Sequence, residues 1–392
     1  MRTRTGRAIR FAVFGGLVLA LLCVACGRKQ EQEQAGSPSR TSERFAASLP
    51  RASFMEDVFR PDSVDLKAPA DHPLGNIRWV VRDPNGGFVV VCSGGAMGVY
   101  HFSRDGQFLG LIGGRGEGPG EYQGVRCVQV DSTGNIYVLD YTLHRISIYS
   151  ADGEFVDSYP VQMRWSDPTV GFILADSQHV ALHMPELSLY GDSTVHVYSR
   201  KGELLRKFGH TTPGFRLAMQ HFPAPTTGPQ LAFAGGRYYE GEYVDYSIRV
   251  YTRAGRLVRT IGERPLRWRS FADADFSKLP KEGSLSAKVD EAERQLSRCV
   301  TPWYVHLLGK DVLVQWLHYG SNASPDKAWL RFMFYDLQGN CLKSGLTFRF
   351  LAEGREEMFL NGDRYGIYQV RYPEELMTGA RLICWVPKAF VR

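Results

Sequence analysis

Arg145-Ile-Ser-Ile-Tyr149-Ser-Ala-Asp-Gly153-Glu-Phe-Val-Asp-Ser-Tyr159 decides the architecture. Apolar residues alternate with others up to Tyr149, which is the period of a strand with one buried face. A short, mostly polar stretch and Gly153 follow, and a second strand-like run begins at Glu154. Glycine takes a positive φ at least cost, so the segment reads as strand, tight turn, strand. The same pattern returns in Phe102-Ser-Arg-Asp-Gly106, Tyr198-Ser-Arg-Lys-Gly202, Tyr251-Thr-Arg-Ala-Gly255 and Tyr335-Asp-Leu-Gln-Gly339.

Successive glycines of the pattern are 47, 49, 53 and 84 residues apart. A period near 50 holding four strand-sized runs is the spacing of β-propeller blades. The second period shows all four runs, at 124–130, 135–139, 145–149 and 154–159. The 84-residue interval exceeds one blade and predicts an insertion at about 263–298. Within it Val289, Ala292 and Leu296 form a narrow apolar stripe in a charged run without Gly or Pro, the pattern of a short helix. The predicted fold class is therefore all-β, a six-bladed β-propeller with a short helical insertion, occupying 51–392. The sixth blade is expected from about Phe348 to Arg392, closed by an N-terminal strand near Ala52 to Phe59, which would leave no free sheet edge.

Composition agrees with many short strands: of 392 residues 41 are Gly and 20 Pro, with no collagen-like period. Lys and Arg exceed Asp and Glu by 47 to 41, but no basic run is long enough to track a phosphate backbone, so nucleic acid is excluded as an expected partner. Arg2, Arg4, Arg7 and Arg10 precede the apolar run Phe11–Ala25, the layout of a secretory signal over 1–25. That run is shorter than a permanent membrane helix needs. Residues 26–50, rich in Gln, Glu, Ser, Gly and Pro, read as a flexible tether. Beyond the signal and Cys26, five cysteines remain: Cys92, Cys127, Cys299, Cys341 and Cys384. They stand singly, several in apolar runs, and are expected as buried thiols.

Two resemblances sharpen this reading. Leu22-Cys-Val-Ala-Cys26-Gly27 resembles a bacterial lipobox, although Cys23 stands where that motif usually has Leu. It implies that Cys26 is lipidated and that the exported protein is lipid-anchored in the cell envelope, periplasm-facing or, since Gly27 after the cysteine permits outer-membrane sorting, in the outer membrane of a Gram-negative cell. Gly113-Gly-Arg-Gly-Glu-Gly-Pro-Gly-Glu-Tyr122, Val128-Gln-Val-Asp-Ser-Thr-Gly-Asn-Ile-Tyr-Val-Leu-Asp140 and the hairpin quoted above resemble NHL-repeat propellers, and more closely bacterial six-bladed β-propeller lipoproteins. The resemblance implies fold; propellers host binding, scaffolding, hydrolase and lyase functions alike.

Chemistry is sparse. No Gly-x-Ser-x-Gly elbow, His-Glu-x-x-His helix or Walker loop occurs, and no local His or carboxylate cluster has metal-ligand spacing, so no cofactor is expected. Arg115, Glu117, Glu121 and Tyr122 decorate the Gly-rich loop, either as a polar rim around the central channel or as a turn stiffened by weak ion pairs. Asp140, Tyr141 and His144 occupy the turn between the second and third strands of blade two. Asp140 with His144 would serve as an acid/base pair or metal ligands, or Asp140 would cap its own turn. His318 and Tyr319 with Trp316, and Tyr243 with Asp245, are placed on equivalent turns, where aromatic faces suit a sugar or peptide. The expected function is a membrane-tethered binding or scaffold module for a protein, peptide or glycan. The alternative is an exported metal-dependent lactonase or lyase.

Overall fold

The computed structural model describes residues 39–163, 170–212, 230–242, 244–265, 269, 300–319, 329–349 and 357–391. Six four-stranded antiparallel sheets make up this part of the chain. In each, the first strand is innermost. Blade one comprises Asn76–Arg82, Phe88–Ser93, Gly98–Phe102 and Phe108–Leu111. Blade two is Val125–Val130, Ile136–Asp140, Arg145–Tyr149 and Phe155–Pro160, within a residue or two of the runs read from sequence. Blade three is Gly171–Leu174, His179–His183, Val195–Ser199 and Leu204–Phe208; blade four is Leu231–Ala234, Arg237–Gly241, Ile248–Thr252 and Leu257–Ile261. Blade five is Val300–Leu308, Val312–Tyr319, Trp329–Asp336 and Cys341–Arg349. Blade six is Glu357–Gly362, Ile367–Arg371 and Ala380–Pro387, completed on the outside by Phe59–Leu66.

Each innermost strand packs against the next and the sixth packs against the first, so the ring closes. Polar side chains stitch the seams. The Asn361 amide accepts from Val80 N at 3.0 Å and donates to Val80 O at 2.8 Å, imitating a sheet bridge between blades six and one. Closure is completed by Phe59–Leu66, which pairs antiparallel with Ala380–Pro387 from Phe59↔Pro387 to Leu66↔Ala380. The closing strand thus lies C-terminal to the expected 52–59, and Phe348 belongs to blade five, so blade six begins at Glu357.

The glycines of the sequence pattern have one physical reason. Gly106, Gly153, Gly202, Gly255 and Gly339 all have φ between +82° and +89°. A Cβ on any of them would strike the fourth strand of the preceding blade or its immediate continuation: Asp65 O, Ile112, Tyr159, Phe208 and Ile261 respectively. The hairpin tip of each of blades one to five is therefore pressed against the preceding blade's outer strand, a contact that only glycine admits.

Residues 39–51, expected as the end of a flexible tether, are ordered against the propeller. Helix α1, Arg40–Ser48, starts at Ser39, whose Oγ accepts from Ser42 N at 3.2 Å, and Leu49–Arg51 continue as a 3-10 turn. Phe45 and Leu49 are fully buried, with Phe45 edge-on to Phe59, Phe334 and Phe390. This i, i+4 pair overrides the polar composition around it. Ser39 N donates to Asp311 Oδ2 at 2.6 Å, in the turn between the first two strands of blade five. Helix α1 therefore sits on the face that carries the first-to-second-strand turns, here called the lower face. The upper face carries the second-to-third-strand turns and the connections between blades.

Among the described residues Cys92, Cys127, Cys341 and Cys384 are free thiols, each pushed up to about 12 by burial. No helix among the described residues is long and apolar enough to cross a membrane. The signal, Cys26, Cys299, Tyr243 and nearly all of the 263–298 insertion lie outside the described residues.

Candidate functional site

The upper face of blade two is built around Asp140, the last residue of its second strand, which is 1% exposed. Its carboxylate accepts four backbone N–H groups: Gln123 at 2.8 Å, Gly124 at 3.1 Å, Thr142 at 2.9 Å and Leu143 at 3.0 Å. It caps its own turn and pins the connection into the blade, which occupies both oxygens and leaves none directed at a reaction. His144 follows with φ +52°, the one positive φ outside glycine among the described residues. Its carbonyl accepts from Val161 N at 2.8 Å, and its Nε2 is shielded without a hydrogen-bond partner.

Arg145, which the motif reading passed over, holds the Gly-rich loop. Its guanidinium donates to the carbonyls of Glu117 at 3.1 Å, Gly118 at 2.7 Å and Glu121 at 2.8 Å. Glu121 Oε2 accepts from Gly118 N at 2.8 Å, and Gln123 Nε2 donates to Glu117 Oε1 at 2.6 Å. The loop is thus stiffened by an arginine on carbonyls; among the described residues no ion pair joins its own side chains. Gly113, with φ +68°, closes the loop where a Cβ would meet Tyr149 OH at 2.6 Å. Tyr122 is interior, its hydroxyl accepting from Val99 N of blade one at 3.0 Å. Arg115, Glu117, Pro119, Gln123 and Tyr141 are left exposed on a fixed backbone.

His318 lies on the second strand of blade five, its ring 5.2 Å from that of Trp303, and burial holds it down at about 4. Aromatic side chains reach across the ring between innermost strands. Trp79 of blade one donates its indole N–H to Val128 O of blade two at 2.9 Å and packs edge-on at 5.8 Å against Tyr304 of blade five. Blades one and five are not neighbours, so this contact spans the channel in front of blade six. Trp316 Nε1 donates to His306 Nδ1 at 3.1 Å behind it.

A polar cluster that the sequence did not announce lies between blades three and four. Glu240 Oε2 accepts from Tyr251 OH at 2.9 Å and faces Arg249 Nε at 3.2 Å, while Thr194 donates to Oε1. His183 Nδ1 accepts from Gln230 N at 3.3 Å, leaving Nε2 to carry the proton 3.6 Å from Glu240 Oε1. Glu242 accepts from Thr212 N at 2.6 Å, with Arg249 Nη2 at 3.6 Å. Burial would raise Glu240, but His183 and Arg249 outweigh it and hold the carboxyl low. Glu242 is raised by burial, which Arg249 and Thr212 only partly offset. Both carboxylates are buried, at 1% and 2% exposure. Glu240, Glu242 and Arg249 lie about 60 residues from His183, and only blade packing joins them. Among the described residues no group of three or more His, Cys, Asp or Glu is disposed to hold a metal.

Comparison with known proteins agrees with the architecture. A family model described as a 6-bladed beta-propeller matches residues 55–170. A member of the DUF4221 family from Bacteroides vulgatus superposes with a TM-score of 0.55 at 13% identity, covering 84% of this chain and 98% of that one. A protein from Bacteroides fragilis described as exported gives 0.54 at 15% identity, covering 84% and 96%. A streptogramin B lyase gives 0.47 at 11%, covering 85% and 99%. At these identities the likeness concerns the fold. No curated protein matches.

Proposed function

We propose that the protein is an exported binding module, lipid-anchored in the cell envelope through Cys26, that offers the upper face of blade two to a protein, peptide or glycan. The observation that carries this reading is the Gly113–Tyr122 loop, whose backbone is fixed by Arg145 and Asp140 while Arg115, Glu117, Gln123 and Tyr141 stay exposed. A rigid backbone presenting an aromatic and two opposite charges loses little entropy on binding. Export is supported by the N-terminal sequence. Helix α1 docks on the lower face, opposite this loop.

Two measurements test the proposal. Cys26→Ala should move the protein from the detergent to the soluble fraction or stall its maturation; unchanged partition and processing would end the lipid-anchor claim. A photo-crosslinking residue at Tyr141 should give a discrete adduct in intact cells that Arg115→Ala with Glu117→Ala removes, and no adduct would overturn the binding face. The enzyme reading keeps one supporting observation, the two carboxyls that Arg249 bridges while their environments move them in opposite directions, a pattern of acid–base pairs. Turnover of a lactone lost in Glu242→Gln, with the melting temperature kept, would favour it instead.

A further inference from the structure

A cleft of about 740 Å³ lies where blade six meets blade one, on the opposite side of the ring from the blade three–blade four cluster. The ring-closing strand lines it from Asp62 to Asp65, and blade one lines it with Arg82 to Gly86, Arg104 and Asp105. Its size is that of a small-ligand site.

Arg82 is the feature that asks for a ligand. It is half-buried, its guanidinium 5.2 Å from the Phe88 ring centre and 5.9 Å from that of Tyr365. Its Nε is shielded from solvent without a hydrogen-bond partner, and among the described residues no carboxylate forms an ion pair with it. Asp363, the acid behind it, is engaged by Tyr365 N at 2.7 Å and Tyr368 OH at 2.6 Å. Asp363 and Asp62 favour its charge from beyond ion-pair distance, but a shielded guanidinium N–H without an acceptor is costly, and a carboxylate matches the planar fork of guanidinium donors. Exposed Lys67 and Arg104 add positive charge at the same cleft.

The acids of the cleft divide into two kinds. Asp65 is committed to Arg381 at 2.6 and 3.1 Å, and Asp83 to His101 at 2.9 Å and its own turn. Asp62 and Asp105 remain exposed, Asp62 with only a loose 3.8 Å pair to Arg60. Asp105 also accepts from Ser103 Oγ at 2.5 Å, and exposed groups of both signs suit a zwitterion. The closing strand is the outermost of its sheet, and Lys67 N already donates outward to Gly106 O. By alternation Ser63 turns its N–H and C=O to the same open side, while Pro61 has no N–H to offer and limits the run.

We propose that this cleft binds a free di- or tripeptide, its carboxylate on Arg82, its backbone along Ser63 and its ammonium toward Asp62 and Asp105. The site is separate from the upper face of blade two and stands or falls independently of it.

The test uses the mature full-length protein in detergent, titrated calorimetrically with Ala-Ala, Ala-Ala amide and N-acetyl-Ala-Ala. Ala-Ala should saturate, and removing its carboxylate charge as the amide should weaken binding about tenfold or more, the loss of a charge-assisted pair. Arg82→Gln should weaken Ala-Ala similarly and abolish the distinction between acid and amide. Arg104→Gln, at an exposed position, should weaken Ala-Ala severalfold without lowering the melting temperature. No saturation by Ala-Ala up to about 10 mM, or equal binding of acid and amide to the wild type, overturns the proposal. If Arg82→Gln fails to fold, the three-ligand series on the wild type still decides.

Discussion

His306 shows how much a single buried side chain decides. It lies on the innermost strand of blade five, accepts from Trp316 through Nδ1, and burial holds its imidazole at about 3 against an ordinary 6.5. The unfolded chain takes up that proton near 6.5 and the folded one near 3, so between these values the unfolded state binds more protons. Stability is therefore complete above about 6.5 and falls as pH drops below it. His318, held at about 4, acts in the same direction. Melting temperature is expected to fall between about pH 7 and pH 5, and His306→Gln, which keeps an acceptor for Trp316 but cannot titrate, should fall less steeply. An identical slope in the variant would show that His306 is not responsible. Asp140 was legible as a turn residue, but the choice between capping and chemistry needed the four N–H groups that converge on it. His183 and Glu240 were not legible at all, because neither carries a local pattern and their proximity comes from the packing of two blades.

At the scale of the element, the repeat glycines separate two costs that are usually confounded. Gly202 and Gly236 both have positive φ, +83° and +71°. A Cβ at Gly202 runs into Tyr159, whereas one at Gly236 meets nothing within 4 Å. Gly236→Ala should cost only the backbone term of roughly 1–2 kcal/mol, and Gly202→Ala that amount plus roughly 1–3 kcal/mol of overpacking. Urea midpoints measure the difference, and equal losses would deny the inter-blade role. This explains why the hairpins were readable: the sequence repeats because the seam between blades repeats. The N-terminal helix was not readable, because its only apolar signal is Phe45 with Leu49, and what they bury against lies at Phe59, Phe334 and Phe390.

For the whole molecule, helix α1 joins the N-terminal arm to the seam between blades five and six. Phe45→Ala removes a fully buried ring from that seam and should cost about 3–5 kcal/mol. Because the ring is closed, the loss should appear as a lower midpoint of one cooperative transition; a separate early transition with the main one unmoved would mean that the arm is only an appendage. Six blades were legible from spacing and length, since each needs the same four strands. The exact ends of blades five and six were not, because the interval after Gly255 departs from the period and the closing strand comes from the far end of the sequence.

Phe59 lies opposite Pro387 in the closing sheet, which sets an order in time. The strand that seals the ring is synthesised more than 300 residues before its partner. At about 5–20 residues per second, the early strand waits on the order of half a minute for the late one. Throughout that interval the early strand lacks its partner, so the nascent chain is an unfinished and adhesive object until Ala380–Pro387 has been made. A chain cut short before Ala380 never acquires the strand that Phe59–Leu66 must meet, and its incompleteness stays displayed at its own N-terminal end. The closing strand is thus a record of whether translation reached Ala380–Pro387, written in a part of the chain made long before it.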